Sequence, residues 1–160
     1  MPPRPLDESD DGRNESPAAR SDRNWNELLQ EFRVLQTGVQ ILGGFLLTLP
    51  FQSRFGDLDP YQETWYLGLV LLAAVTTVAL LAPIAVHREM FRRRRKQETV
   101  VVGHLLARTV TALVGLLIAG VAAFVFDVVL GRTAGWVAGG AVLLVAAAAL
   151  GALPRWVAAR

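Results

Sequence analysis

Long apolar blocks alternate with short polar segments along this chain. The apolar blocks cover about residues 31–50, 65–86, 106–127 and 134–153. An α-helix rises about 1.5 Å per residue, so each block matches the roughly 30 Å hydrocarbon core of a bilayer. The pattern therefore predicts an all-α fold, an integral membrane bundle of four transmembrane helices.

The composition agrees with this pattern, because 52% of the residues are hydrophobic and only 19% are charged. Residues 1–23 differ, since they are rich in proline and acidic side chains and have too little apolar area to offset the entropy of ordering. We expect a disordered cytoplasmic tail over 1–23 and a four-helix transmembrane domain over 24–160. Residues 21–26 offer helix N-caps, and Pro50 is predicted to end the first helix after Leu49.

Basic residues set the predicted orientation. Arg92 to Lys96 form a basic run within a predicted loop over 87–99. The two loops on the opposite side contain only two basic residues, Arg54 and Arg132. Because Lys and Arg near span ends stay in the cytoplasm, this loop and both the N and C termini are predicted to be cytoplasmic. The basic run is also expected to lie at anionic headgroups of the lipid bilayer.

Small residues recur at four-residue spacing in the last two spans. Gly115 and Ala119 lie in span three, and Gly135 and Gly139 lie in span four. Such spacing lets two helix backbones approach closely in lipid. It predicts a tight contact between spans three and four.

The first span carries a polar face into the membrane. With Glu31 at one boundary and Pro50 at the other, Gln40 lies near the bilayer midplane. The same arithmetic places two threonines of span two at this depth. These side chains either form hydrogen bonds between helices, within the bundle or an oligomer, or line a polar pathway. The candidate intramembrane polar face comprises Gln36, Thr37, Gln40, Thr76 and Thr77.

A second group of polar side chains is predicted at the cytoplasmic ends of the spans. A Glu31 to Arg108 ion pair is one hypothesis for it, and separate snorkelling of each side chain to the headgroups is the alternative. The histidines are either interfacial or able to shuttle protons, and their spacing only weakly indicates a metal site. This inner-mouth charge cluster comprises Glu27, Glu31, Arg33, His87, His104 and Arg108.

Asp127 is the only acidic residue in the outer half of any predicted span. We expect it to be solvated or to cap the outer loop rather than to bind an ion. No cysteine, nucleophile elbow, phosphate-binding glycine loop or zinc signature is present, so we predict no catalytic residue, metal or cofactor. The basic run lacks the interleaved aromatics that nucleic-acid binding requires, so no nucleic acid is expected as a partner.

The stretch ELLQEFRVLQTGVQILGGFLLTLPF, from Glu27 to Phe51, resembles a family of bacterial four-span membrane proteins that is described as a domain of unknown function. The likeness extends to APIAVHREMFRRRRK, from Ala82 to Lys96. Some members of that family carry the name sodium:proton antiporter. The resemblance implies a multi-pass protein of the bacterial inner membrane and, at most, cation/proton exchange.

Three functions are compatible with the sequence. The favoured one is a non-enzymatic structural or accessory protein that associates with itself or with a membrane partner through the polar face of span one. The second is a small cation or proton transporter that acts as an oligomer. Antiport requires an ionisable group near the middle of the membrane, whereas every carboxylate of this chain lies at a span end or in a loop. The third is a sensor that works through the acidic tail.

Overall fold

The computed structural model describes residues 17–93, 96–152, 155–156 and 159. Side chains are described for these residues except 17–22, 25, 84, 86–93 and 96–104. The basic side chains from Arg92 to Lys96 and the side chains of His87 and His104 therefore lie outside the described part. The predictions made for them stay predictions.

Four helices make up the bundle, and within the described residues there is no strand. Two short 3-10 turns, Leu49–Phe51 and Phe55–Asp57, connect the first pair, and a π-helical turn, Ala148–Ala152, continues the last helix. Each helix, together with the short turn that continues it in the first and last case, supplies a segment that is long and apolar enough to cross a membrane: 26–51, 60–83, 105–130 and 132–152. The prediction of an all-helical protein with four such helices is confirmed. The helices are α1 (Pro17–Thr48), α2 (Pro60–Arg93), α3 (Lys96–Leu130) and α4 (Arg132–Ala147).

Three helix ends differ from the predicted ones. α1 begins at Pro17, inside the segment predicted to be a disordered tail. Proline suits the first position of a helix, where its missing N–H is not needed, and the alanines that follow are strong helix formers. α2 and α3 also continue through most of the predicted loop 87–99, because Arg, Lys, Gln and Glu favour helix and a helix satisfies its own backbone groups as it leaves the membrane.

The core follows a seven-residue repeat on the first three helices. Buried positions recur every seven residues on α1 and on α3, and at alternating steps of three and four on α2. This is the spacing of helices that pack side by side with a shallow left-handed crossing. It places α1, α2 and α3 around one apolar seam. The seam contains Phe32, Val39 and Leu46 of α1, Tyr66, Leu69, Ala73, Thr76 and Leu80 of α2, and Val110, Leu117 and Phe124 of α3.

A different face of α3, spaced every four residues, packs against α4. A Cβ added at Gly139 would lie 2.6 Å from Ala123 Cβ, and one added at Gly135 would lie 2.8 Å from the Ala123 carbonyl oxygen and from Asp127 Cβ. Real Cβ atoms do not approach so closely, so only glycine permits this helix separation. The predicted tight contact between spans three and four is confirmed. Gly131, with φ +95, makes the turn between α3 and α4.

At the end of α1 and the start of α2, a side-chain hydrogen bond joins the described parts of the two helices. The helical partner of the Leu46 carbonyl would be the N–H of residue 50, but Pro50 has no N–H. The buried Tyr66 hydroxyl instead donates to the Leu46 carbonyl oxygen at 3.1 Å. The tyrosine therefore satisfies the acceptor that the proline leaves without a partner, as burial in lipid requires.

Candidate functional site

The polar face of α1 points away from the other helices. Thr37, Gln40, Gly44 and Thr48 are all exposed, whereas Val39 on the opposite side is buried. These four positions are separated by three, four and four residues, so they lie within about 80° of one another on the helix. We call them the exposed α1 stripe.

Gln40 has no hydrogen-bond partner within the described part of the chain, although it lies near the middle of the segment that spans 26–51. Gln36, one turn earlier, is half-buried at the edge of the packed face. A primary amide carries two donors and an acceptor with two lone pairs. Within this bundle, the amide of Gln40 therefore faces the hydrocarbon with its hydrogen-bonding capacity unused.

The threonines at the same depth are satisfied by their own helices. The Thr76 hydroxyl, which is fully buried, donates to the Leu72 carbonyl oxygen at 2.7 Å, and the Thr77 hydroxyl donates to that of Ala73 at 2.8 Å. The Thr37 hydroxyl likewise donates to the Arg33 carbonyl oxygen at 3.0 Å. These hydroxyls do not connect one helix to another. Among the described residues, no hydrogen bond joins the polar face of α1 to the threonines of α2.

Among the described side chains, no ion pair joins two members of the inner-mouth charge cluster. Glu27 forms an ion pair with Arg23 on its own helix, with 4.0 Å between Oε1 and Nη1. Glu31, Arg33 and Arg108 are exposed, and among the ion pairs between described side chains there is none that joins Glu31 to Arg108. The hypothesis of that ion pair is therefore not supported, and the exposure of each side chain fits separate snorkelling to the headgroups.

A polar cluster that the sequence did not reveal lies at the opposite end of the bundle. Asp59 precedes α2 and exchanges two hydrogen bonds with Gln62: the Gln62 N–H donates to Asp59 Oδ1 at 2.9 Å, and the Asp59 N–H donates to Gln62 Oε1 at 3.1 Å. This is a capping box, which fixes the first turn of the helix. We call Asp59, Gln62, Asp127 and Arg132 the outer polar cluster, after the side of the membrane that the sequence predicts for this end of the bundle.

Asp127, near the end of α3, completes this cluster. Gln62 Nε2 donates to Asp127 Oδ1 at 2.6 Å, and Arg132 Nε lies 3.8 Å from Asp127 Oδ2. The side chain of Asp127 is only 3% exposed. Asp127 is therefore buried between helices, and the expectation that it is solvated or caps the outer loop is wrong. The physical reason is that Gly135 of α4 packs directly against the Cα and Cβ atoms of Asp127.

Arg132, the first residue of α4, closes the cluster into a ring. Its Nη2 donates to Asp59 Oδ2 at 2.8 Å, and its guanidinium lies 4.0 Å from the centre of the Tyr61 ring. Tyr61 packs edge-on against Trp65, whose ring lies 5.1 Å from that of Trp136 on α4. The cluster thus ties the start of α2 to the end of α3 and the start of α4, and the buried carboxylate has its countercharge beside it.

One part of this cluster has a sequence signature. Asp59, Pro60 and Gln62 form the pattern of an N-cap, a proline at the first position and a glutamine at the third, which marks a helix start. The sequence alone contains this pattern. The contact between Gln62 and Asp127, which are 65 residues apart, depends on the packing of the helices and has no local signal.

Comparison with known proteins identifies the family of this chain but does not identify an activity. No curated protein and no solved structure matches the chain significantly. One family profile, described as a family of unknown function, matches residues 14–154, which includes all four membrane segments and the exposed α1 stripe. The expectation of an uncharacterised family is thereby met, without support for the antiporter name. The chain belongs to DUF6328, a family of unknown function.

Proposed function

We propose that this protein is a non-enzymatic accessory or structural protein of the bacterial inner membrane, which associates with a second copy of itself through the exposed α1 stripe. The observation that carries the proposal is the amide of Gln40, exposed near mid-depth without a partner in the described chain. An unsatisfied polar group in hydrocarbon costs several kcal/mol, so a partner that supplies hydrogen bonds is favoured there.

A second copy suits this surface because glutamine complements itself. In a twofold-symmetric dimer the same patch meets itself, and two facing amides can each donate and accept. Gly44 lies one turn away, and a Cβ at that position would meet nothing within 4 Å. A small residue beside a polar one lets two helices approach closely enough for the amides to bond.

Mass photometry or analytical ultracentrifugation in detergent would test the association, with Gln40→Leu as the variant. Interhelical hydrogen bonds in membranes contribute about 0.6–2 kcal/mol, so the dissociation constant should rise about threefold to thirtyfold. The control is Gln52→Leu, the same change at an exposed residue of the outer loop. A protein that is monomeric at every concentration, or a Gln40→Leu variant that associates as tightly as the control, would contradict the proposal.

Cation or proton transport by an oligomer is the rival function. It requires an ionisable group that both sides can reach, and Glu31 is the carboxylate closest in sequence to the exposed stripe. Nine residues separate Glu31 from Gln40, about two and a half turns, so the two side chains point to opposite sides of α1. A shared interface that contains Gln40 would therefore not contain Glu31, which favours the accessory function.

Reconstitution into vesicles with a pH-sensitive dye separates the two functions. We expect no cation-driven proton flux. A flux that Glu31→Gln abolishes would establish the transporter instead.

The third function, a sensor that uses the acidic N-terminal segment, is tested by deleting residues 1–16, which leaves α1 complete from Pro17. A deletion without any phenotype would count against it.

The orientation is part of the same proposal, with both termini in the cytoplasm. Because the chain contains no cysteine, single cysteines can be introduced without a background. We expect a membrane-impermeant maleimide to label Ser53→Cys in intact spheroplasts and to label Ala159→Cys only after lysis. The reverse pattern would invert the topology.

A further inference from the structure

A lipid-facing groove runs between α3 and α4 on the half of the bundle that lies opposite to the outer polar cluster. Its volume is about 540 Å³, within the range of about 300–1,000 Å³ that is usual for ligand pockets. On α3 it extends from Ala107 to Leu116, about 13.5 Å along the helix. Its walls are formed mostly by small and aliphatic side chains, among them Ala112, Gly115 and Ala146.

A close contact between α3 and α4 and a change in the form of α4 both lie at the groove. Gly115 faces α4 at a point where an added Cβ would lie 3.6 Å from Ala146 Cβ and 3.7 Å from Leu150 Cδ1. Past this point α4 changes from an α-helix to the π-helical turn Ala148–Ala152, and two residues of that turn, Leu150 and Gly151, line the groove. π-Helical turns are rare and occur frequently at functional sites.

Two arginines stand at one end of this apolar groove. Arg108 is part of the lining, and Arg155 donates from Nη1 to the carbonyl oxygen of Gly151, which is also part of the lining. Both arginines are exposed, and no described acidic side chain lies within ion-pair distance of either. Thr111, the remaining polar side chain of the lining, donates to the carbonyl oxygen of Ala107 on its own helix. The charge at this end is therefore positive and uncompensated by described residues.

We propose that this groove binds one anionic phospholipid, with an acyl chain along the small residues of α3 and α4 and the phosphate at Arg108 and Arg155. An apolar channel that ends in two arginines matches a molecule with an apolar chain and an anionic head. Guanidinium groups bind phosphate oxygens through two parallel hydrogen bonds, and basic pockets between transmembrane helices hold anionic headgroups. The site is separate from the exposed α1 stripe and does not depend on self-association.

Native mass spectrometry of the full chain, released from neutral detergent with added lipid, tests the site. We expect tighter binding of phosphatidylglycerol than of phosphatidylcholine with the same acyl chains. Arg108→Gln and Arg155→Gln should each weaken phosphatidylglycerol binding about fivefold, the effect of one basic charge near an anionic lipid, and should leave phosphatidylcholine binding unchanged. Arg54→Gln is the control, because that side chain is 87% exposed in the loop at the opposite end.

The acyl-chain part of the proposal has its own variant. Ala112→Phe places a ring in the groove from an exposed position and should lower the binding of phosphatidylglycerol, whereas Ala74→Phe, at an exposed position of α2, should not. Millimolar glycerol 3-phosphate should fail to displace the lipid, since it lacks the chain.

Three results would overturn the proposal. One is equal binding of the two lipids, and another is a loss with Arg54→Gln as large as that with Arg108→Gln. The third is an Ala112→Phe variant that binds lipid normally but has a changed oligomeric mass, since a second copy of the chain would then be the occupant of the groove.

Discussion

The two tyrosines of this chain offer a matched pair of substitutions. Tyr66→Phe removes the hydroxyl that donates to the buried Leu46 carbonyl oxygen, the acceptor left free by Pro50. Tyr61→Phe removes a buried hydroxyl that has no hydrogen-bond partner within the described structure and keeps the ring that faces Arg132. The chemical change is the same at both sites, so any difference in unfolding free energy reports the hydrogen bond.

The expected cost of Tyr66→Phe follows from what is lost at each atom. The hydrogen bond itself contributes about 0.5–1.5 kcal/mol, and a buried carbonyl left without a partner costs about 1–3 kcal/mol. Measured side-chain hydrogen bonds in membranes lie at the lower end, about 0.6–1.7 kcal/mol, because the unfolded chain finds other partners in lipid. We therefore expect Tyr66→Phe to destabilise the bundle by about 1–2 kcal/mol and Tyr61→Phe to leave it unchanged or slightly more stable.

Reversible unfolding in mixed micelles, titrated with sodium dodecyl sulfate and followed by tryptophan fluorescence, measures both variants against the native chain. A difference of about 1.4 kcal/mol corresponds to a tenfold change in the ratio of folded to unfolded protein, which this titration resolves. Equal stabilities for the two variants would refute the reasoning that Tyr66 replaces the N–H missing from Pro50.

Two further predictions use the same titration. Gly139→Ala should be about 1–3 kcal/mol less stable than Gly140→Ala, because a Cβ at position 139 would lie 2.6 Å from that of Ala123, whereas one at 140 would meet nothing within 4 Å; equal effects would mean that α4 does not pack on α3 as described. Asp127→Ala should lower the free energy of unfolding by about 1.5–3 kcal/mol, because the hydrogen bond from Gln62 is lost. Asp57→Ala, whose side chain is 71% exposed, should lower it by less than about 1 kcal/mol. An equal decrease for both variants would show that the outer polar cluster does not stabilise the fold.

Hydropathy and helix geometry were sufficient to predict the four membrane segments and the contact of spans three and four, because both depend on local sequence. The burial of Asp127 was not predictable in this way. It depends on Gly135 lying against the Cα and Cβ atoms of Asp127 and on Gln62 donating to the carboxylate from another helix. Local sequence identifies the cap at Asp59, but it does not identify which distant side chain the capping glutamine contacts.

The candidate site also combines features that local sequence predicts with features that depend on helix packing. A wheel drawn on α1 groups Thr37 and Gln40 correctly, since their angular positions follow from the helix alone. Whether that face points inward or outward depends on which apolar positions the other helices cover, and here the seam through Val39 turns it to the lipid. The threonine hydroxyls at the same depth donate to the backbone of their own helix, a choice of acceptor that local sequence does not determine.

Disulfide cross-linking in native membranes tests self-association through the exposed α1 stripe most directly. The cysteine-free chain allows a single Gly44→Cys variant on that stripe, and Val137→Cys, 67% exposed on α4, serves as the lipid-facing control. A disulfide requires the two Cα atoms to lie within about 4.4–6.8 Å, so only a close helix pair can form it. We expect a covalent dimer from Gly44→Cys and none from Val137→Cys. A monomer from Gly44→Cys, or equal dimer from both variants, would contradict the proposed association.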